Sequence, residues 1–289
     1  MSYQIIETHR EVGSVERLCG ALGVSVSGYY AWRTRPLCQH QQTDAVLLKQ
    51  IQVVYRAGRG LYGSPRIHAA LRQQGVCCSR KRVARLMRQH GIRSRRRPKR
   101  RLGTTDSRHN RPVAPNLLKR DFSADAPNEK WVGDIVGIWT DEGWLYLSAL
   151  LDTYSRLIVG WAMSVYRDEA LVEAALQMAL ARRELPEDTD LIQHTDRGSQ
   201  YTADDYLTLL EKHGIQVSMS DKGDPYDNAM MESFFSTLRA ELTDLERFAT
   251  RQAARTAVFE FIEVFYNRQR LHSSLGYRSP LAYEADHLS

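Results

Sequence analysis

The sequence predicts a basic, all-α amino-terminal region followed by an α/β core, a mixed five-stranded sheet with flanking helices. Three observations carry that expectation. Charge divides the 289-residue chain: residues 1–120 hold 25 Lys/Arg against 5 Asp/Glu, a net of +20, and residues 121–289 hold 15 against 29, a net of −14. Hydrophobic spacing changes near residue 129 from helical to strand-like. Beyond that point the elements run β-β-β-α-β-α-β-α, the order of one sheet covered by helices.

Composition bounds the function classes. With 43% apolar and 26% charged residues, the chain reads as a globular protein. The longest uncharged apolar runs, Trp144–Leu151 and Leu157–Tyr166, are about half the length of a bilayer span. No basic segment followed by an apolar stretch opens the sequence, so no secretory signal and no membrane partner are expected. Cys19, Cys38, Cys77 and Cys78 form no CxxC pair and are expected to be reduced thiols rather than zinc ligands. No acidic residue falls between Asp44 and Asp106, whereas 17 basic ones do. Such one-sided charge points to a polyanion-binding part joined to a different part.

Residues 1–58 are expected to form a helical, helix-turn-helix-like region. Val15–Leu22 reads as a helix stopped at Gly23, and Ser25 can cap a second one, Val26–Arg33. Residues 59–101 are expected to be a clearer helix-turn-helix with a basic arm. Ser64–Gln74 is closed by Gly75, and Ser79 can cap Arg80–His90, which is closed by Gly91. In that second helix Val83, Leu86 and Met87 form one apolar stripe. Arg80, Lys81, Arg82, Arg85 and Arg88 cover the rest, which suits a helix lying in a DNA groove. The run RSRRRPKRR at 93–101 follows. Its Arg95, Arg96, Arg97, Lys99, Arg100 and Arg101 are expected to contact phosphates or a minor groove. Residues 102–128, with Pro112, Pro115 and Pro127, read as a linker.

The core is expected over 129–289. Trp131–Trp139, Trp144–Leu151 and Arg156–Ser164 are strand-like runs joined by tight turns, an antiparallel meander. Asp168–Glu184 is an amphipathic helix, Asp190–His194 a short strand, Asp204–His213 a helix closed by Gly214, and Ile215–Ser218 a last strand. Helices over Asn228–Leu242 and Arg251–Asn267 finish the pattern. The arrangement is ribonuclease-H-like.

Three carboxylates stand out. Asp134 interrupts an apolar strand, Asp196 lies just past the fourth strand, and Glu232 lies on the helix after the loop. With the first and fourth strands adjacent, all three can meet at one edge of the sheet. Clustered carboxylates repel unless a cation neutralises them. An all-oxygen ligand set without neighbouring Cys or His pairs favours Mg²⁺ or Mn²⁺. Two such ions are the usual device for phosphodiester chemistry. Gly198, after Asp196 and Arg197, is expected to open a turn to a phosphate. His194, two residues before Asp196, is expected to face a phosphate or a backbone carbonyl, and Asn228 to cap its helix. No GxxxxGK[ST] loop occurs, so ATP use is not implied.

These pieces resemble a known family. TrpValGlyAsp at 131–134, HisThrAspArgGlySerGlnTyr at 194–201, AspAsnAlaMetMetGluSerPhePhe at 227–235 and TyrAsnArgGlnArgLeuHisSerSerLeuGlyTyrArgSerPro at 266–280 are similar to the OrfB-type products of the IS-three family of bacterial insertion-sequence transposases. That family belongs to the DDE superfamily shared with retroviral integrases. Upstream, LeuTyrGlySerProArgIleHisAlaAlaLeuArg at 61–72 resembles its helix-turn-helix. The resemblance implies an integrase catalytic core with catalytic, metal-binding Asp134, Asp196 and Glu232. It also implies a basic residue seven positions after the Glu, here Arg239, on the same helical face and able to hold a DNA phosphate. Gly133 and Val136 replace polar residues often seen beside the first Asp, and Leu271 stands where the family often has Pro. The zinc-binding His and Cys of a retroviral integrase are absent. The tail residues Arg270 and His272 are expected to pack on the core rather than touch DNA.

The expected reaction is metal-dependent cleavage and 3′-OH strand transfer at insertion-sequence ends, with two divalent ions. Expected partners are the terminal inverted repeats, target DNA, further copies of the chain, and the product of a companion upstream reading frame. The expected location is the bacterial cytoplasm, at the nucleoid. Two alternatives remain at this point: a hydrolytic nuclease of the same fold, which never joins strands, and a non-catalytic DNA-binding regulator.

Overall fold

Helical spacing governs the first ninety residues of the computed structural model, which describes residues 2–34, 38–95, 114–186, 188–221 and 225–286. The chain forms two units, 1–53 and 54–289. In the first, α1 (Ser2–His9), α2 (Val15–Ala21) and α3 (Val26–Thr34) close over Ile6, Cys19 and Tyr29. Ser14 caps α2 by accepting the Arg17 N–H at 3.4 Å, and Gly23 turns the chain at φ +62°. Tyr29 is core, while Tyr30 and Trp32 stay partly exposed. α4 (Gln39–Ala57) carries the chain past the boundary.

The second unit opens with α5 (Ser64–Gln73) and α6 (Arg80–Gln89). Ile67 and Leu71 of α5 and Val83, Leu86 and Met87 of α6 are buried, so the apolar stripe read from the sequence is the packed face. Gly75, at φ +79°, supplies the left-handed residue that ends α5. The Ser79 hydroxyl accepts the Arg82 N–H at 3.2 Å.

The sheet has β1 (Lys130–Thr140), β2 (Gly143–Asp152), β3 (Ile158–Ser164), β4 (Ile192–Thr195) and β5 (Gln216–Met219) in the order β3-β2-β1-β4-β5. β1, β2 and β3 pair antiparallel, and β4 and β5 add parallel to β1. This is the expected mixed sheet. α7 (Glu169–Arg182) and α8 (Asp204–Lys212) cover one region of core with Trp131, Leu150, Val159, Leu176, Leu191, Tyr206 and Leu210. α7 lies so close to β3 that a Cβ at Gly160 would stand 2.3 Å from the Ala175 carbonyl oxygen and 2.7 Å from Ala179. Gly160→Ala is therefore expected to destabilise the protein by about 1–3 kcal/mol, read as a lower urea midpoint. An unchanged midpoint would mean α7 can retreat freely.

Two helices end otherwise than helical spacing suggests. α9 (Ala229–Leu238) passes into a π-helical turn, Arg239–Thr243, and α10 (Arg251–Phe259) into another, Glu260–Tyr266. The wider first turn carries Glu241 inward, where both its oxygens accept from Arg270 at 2.7 Å. The second places Phe261, Ile262, Phe265 and Tyr266 in the interior. A short helix, α11 (Pro280–Ala285), follows the tail.

The tail packs as expected. Asn267 exchanges two hydrogen bonds with the Ile158 backbone, 3.0 Å each, and so completes the start of β3. Arg270 and His272 are buried. The Tyr62 hydroxyl donates to the Gln269 carbonyl at 3.1 Å and accepts the Leu271 N–H at 3.0 Å. That second bond needs an N–H at 271, which proline lacks. Leu271 thus suits this chain. Upstream of β1, the Leu117 N–H reaches Ser218 Oγ at 2.9 Å and the Met219 N–H reaches the Pro115 carbonyl at 3.3 Å. Residues near 115–118 therefore run beside β5. No helix among the described residues is long and apolar enough to cross a membrane.

Candidate active site

Parallel pairing of β1 and β4 sets the first two acids side by side. Val132 is level with His194, and Asp134 and Asp196 each lie two residues further along their chains. Asp134 is half-buried, yet packed closely enough that burial, and next the Asp196 charge, push its pKa up to about 7. Its Oδ1 accepts the Ile135 N–H at 2.7 Å. Asp196 Oδ1 accepts the Gly198 N–H at 2.9 Å, while its Oδ2 is buried with no hydrogen-bond partner.

Gly198 serves this pair by its size. Its φ of −66° is ordinary, but a Cβ there would lie 2.9 Å from Asp196 Oδ1 and 2.3 Å from the Gln200 side chain. The expected phosphate-approach turn is in the structure an Asx turn that orients the carboxylate.

Glu232 sits in the first turn of α9 and is exposed. Its charge also raises the Asp134 pKa, as the weakest of the contributions. α9 is tied to β1 by Asn228, whose Nδ2 donates to the Gly133 carbonyl at 3.1 Å. Asn228 does not cap the helix with its side chain; that amide instead fixes the distance between the strand of Asp134 and the helix of Glu232. Asp227 is also buried and accepts from Asn116 at 3.0 Å and from the Asp221 N–H at 2.8 Å. As the side chains stand, no three His, Cys, Asp or Glu among the described residues are gathered tightly enough to hold a metal ion. The two aspartates form the tight part of the cluster, and Glu232 is the outlying member.

His194 meets the Asp227 backbone, the second of its two expected partners. It is buried between two hydroxyls, Ser218 Oγ at 2.8 Å and Ser220 Oγ at 3.1 Å, and burial lowers its pKa. It cross-links β4 to β5 as a neutral ring. Arg239 is half-buried at the end of α9, where its N–H still donates to the Phe235 carbonyl, so the α-helical register from Glu232 reaches it as the π-helical turn begins.

Two residues without an assigned role in the sequence analysis stand near the acids. The Arg167 charge acts on Asp134 and favours its ionised form. Arg167 also lines a cleft of about 370 Å³ with Ser199 and Gln200. The Tyr201 hydroxyl is buried, and burial, then Asp134 and Asp196, raise its pKa well above the usual tyrosine value. It therefore stays protonated under the pair. Tyr201 was visible as the end of the 194–201 segment; Arg167 had no local signal, because only the fold carries the start of α7 to β1.

Of the basic residues, Arg80, Lys81, Arg88 and Arg95 are exposed, and Arg82 and Arg85 are half-buried. Arg85 also donates to Gln89 at 3.0 Å. Arg96, Arg97, Lys99, Arg100 and Arg101 lie outside the described residues.

Family models of the integrase core domain match residues 124–225 and 213–280, and one of an HTH-like domain matches 41–100. The transposase InsF for insertion sequence IS3A of Escherichia coli K12 is 42% identical over 296 aligned positions, with 100% of both chains covered. The insertion element IS600 31 kDa protein of Shigella sonnei is 44% identical over 266 residues, covering 92% of this chain and 97% of that one. A fainter likeness, TM-score 0.41 at 17% identity, links 56% of this chain to 96% of the catalytic core domain of BIV integrase.

Proposed function

Since the chain belongs to the IS3-type insertion-sequence transposases, integrase-core enzymes of the DDE kind, we propose that Asp134, Asp196 and Glu232 are its catalytic, metal-holding carboxylates. The observation that carries the assignment is the unsatisfied, buried Asp196 Oδ2, set beside an Asp134 whose charge is disfavoured by burial and by Asp196. Both are costs that a divalent cation removes. The donors are all oxygen, which fits Mg²⁺ or Mn²⁺. Bound there, two such ions supply the charge that makes a hydroxyl nucleophilic and stabilises the departing 3′ oxygen.

The residues do the rest. Asp134 and Asp196 are held by the sheet and the Asx turn. Glu232 is exposed and can rotate towards the pair. Asn228 keeps its helix at a fixed distance from β1. Tyr201 stays neutral near the aspartates, and Arg167 and Arg239 offer guanidinium groups to phosphate oxygens. A water first frees a 3′-OH at the element end; that 3′-OH then attacks a phosphodiester of another strand and displaces its 3′ oxygen. The HTH-like segment binds DNA. Arg80, Lys81, Arg82, Arg85, Arg88 and Arg95, with Arg96, Arg97, Lys99, Arg100 and Arg101, are assigned to the phosphates of the terminal repeats and target. Two ends brought together require more than one copy, working with the companion product.

Metal binding tests the assignment without DNA. Mg²⁺ or Mn²⁺ at about 100 times its Kd is expected to stabilise the protein by about 2.7 kcal/mol per ion bound, read as a raised melting temperature. Asp196→Asn is expected to lose that rise. A wild-type melting curve indifferent to both ions would overturn the assignment.

A further inference from the structure

A cleft of about 300 Å³ opens between α5, the β2–β3 turn, α9 and the tail. The carboxylates do not line it. Arg66, Arg156 and Arg270 form its walls, and Ser233, Ser273 and Ser274 stand at its exposed mouth. His272 also lines it; burial, with Arg270, Arg156 and Arg66 around it, pushes its pKa down to about 2. The ring is thus neutral, and its Nε2 accepts from Arg270 at 3.2 Å.

The charges are unequally answered. Arg270 is neutralised by Glu241, with two bonds of 2.7 Å. Arg66 gives its Nε to the Leu271 carbonyl at 2.8 Å. Arg156 is half-buried, and among the described residues its guanidinium makes no hydrogen bond or ion pair. Its backbone sits at φ +59°, left-handed and uncommon outside glycine. A strained backbone that presents an unanswered guanidinium is an outlier of the kind stored at binding sites. A guanidinium among hydroxyls and further guanidinium groups matches the oxygens of a phosphate.

We propose that this cleft is a phosphate subsite, in which Arg156, flanked by Arg66 and the hydroxyls of Ser233, Ser273 and Ser274, holds one phosphodiester of bound DNA. The proposal rests on the reading that DNA is the substrate. The position favours DNA over a free anion: α5 belongs to the helix-turn-helix, and Ser233 is the chain neighbour of Glu232. One phosphate gripped there would register the DNA held by α5–α6 against α9.

The test is the salt dependence of duplex DNA binding, measured by fluorescence anisotropy in EDTA so that the metal site plays no part. Arg156→Gly removes the guanidinium and suits the left-handed backbone. It is expected to flatten the log Kd against log salt slope by about 0.9, one phosphate contact, and to weaken binding several-fold at low salt. Arg156→Lys is expected to retain the slope. Ser274→Glu, which sets a carboxylate at the mouth, is expected to flatten it similarly. Arg88→Gln, on exposed α6, is the control for DNA binding itself. A flattened slope in Arg88→Gln with none in Arg156→Gly or Ser274→Glu overturns the subsite alone; no change in any of the three overturns both it and the DNA-binding reading. Inorganic phosphate is the second probe. Stabilisation of wild type by phosphate, lost in Arg156→Gly with DNA slopes unchanged, would assign the cleft to a free anion and overturn the DNA proposal.

Discussion

Glu232→Gln is expected to lower strand cleavage and 3′-OH joining together by about 10³-fold or more, equivalent to about 4 kcal/mol of transition-state stabilisation. The substitution keeps the shape of the side chain and removes its charge. Glu232 is exposed on the first turn of α9, so the fold does not depend on it, and the melting temperature is expected to stay within a degree or two. Duplex DNA affinity is expected to stay within about twofold, because phosphate contacts come from the basic segment. Cleavage and joining fall in parallel because one cluster serves both steps. Loss of cleavage with intact joining of pre-cleaved ends would separate the two reactions and exclude Glu232 from the shared site.

Glu241→Ala is expected to have the largest effect on stability. Arg270 and Glu241 are almost wholly withdrawn from solvent, with side-chain exposures of 3% and 1%. Removing one partner of such a pair leaves a buried, uncompensated charge, which costs about 3–5 kcal/mol. For a domain of this size that lowers Tm by about 10 °C. The damage would spread, since Arg270 also donates to His272 and Tyr62 grips the neighbouring tail backbone. Pairing Glu241→Ala with Arg270→Met is expected to recover much of the loss, because the double variant buries no bare charge. A drop in Tm below about 3 °C for Glu241→Ala alone would mean that water reaches the pair.

Periodicity made most of the fold legible. Strand-like apolar runs over 131–139 and 144–151 marked two strands, and the order of the later elements implied the adjacent β1 and β4 that bring Asp134 beside Asp196. Ser79, Gly75 and the stripe of Val83, Leu86 and Met87 located α5 and α6 to within a residue at each end. What escaped the sequence depends on contacts across the chain. Asn228 had the residue type and position of a cap, but a carbonyl 95 residues away, that of Gly133, claims its amide. His194 had the spacing of a site residue, but two hydroxyls on the β5 side take both its nitrogens. The π-helical turns leave no mark at the 3.6-residue period; the first begins only at Arg239, whose N–H keeps the α-helical bond to the Phe235 carbonyl. Arg156 and Arg167 had no local signal, because a turn and a helix entrance acquire their neighbours only when the sheet closes.

The most direct test of a shared cation site is anomalous diffraction from crystals of the protein soaked in Mn²⁺ with a pre-cleaved DNA end. The expected result is anomalous density coordinated by Asp134 and Asp196, with the Glu232 side chain swung in as a further ligand. Manganese bound elsewhere, with Glu232 still turned to solvent and Asp196 Oδ2 still unpartnered, would contradict the assignment.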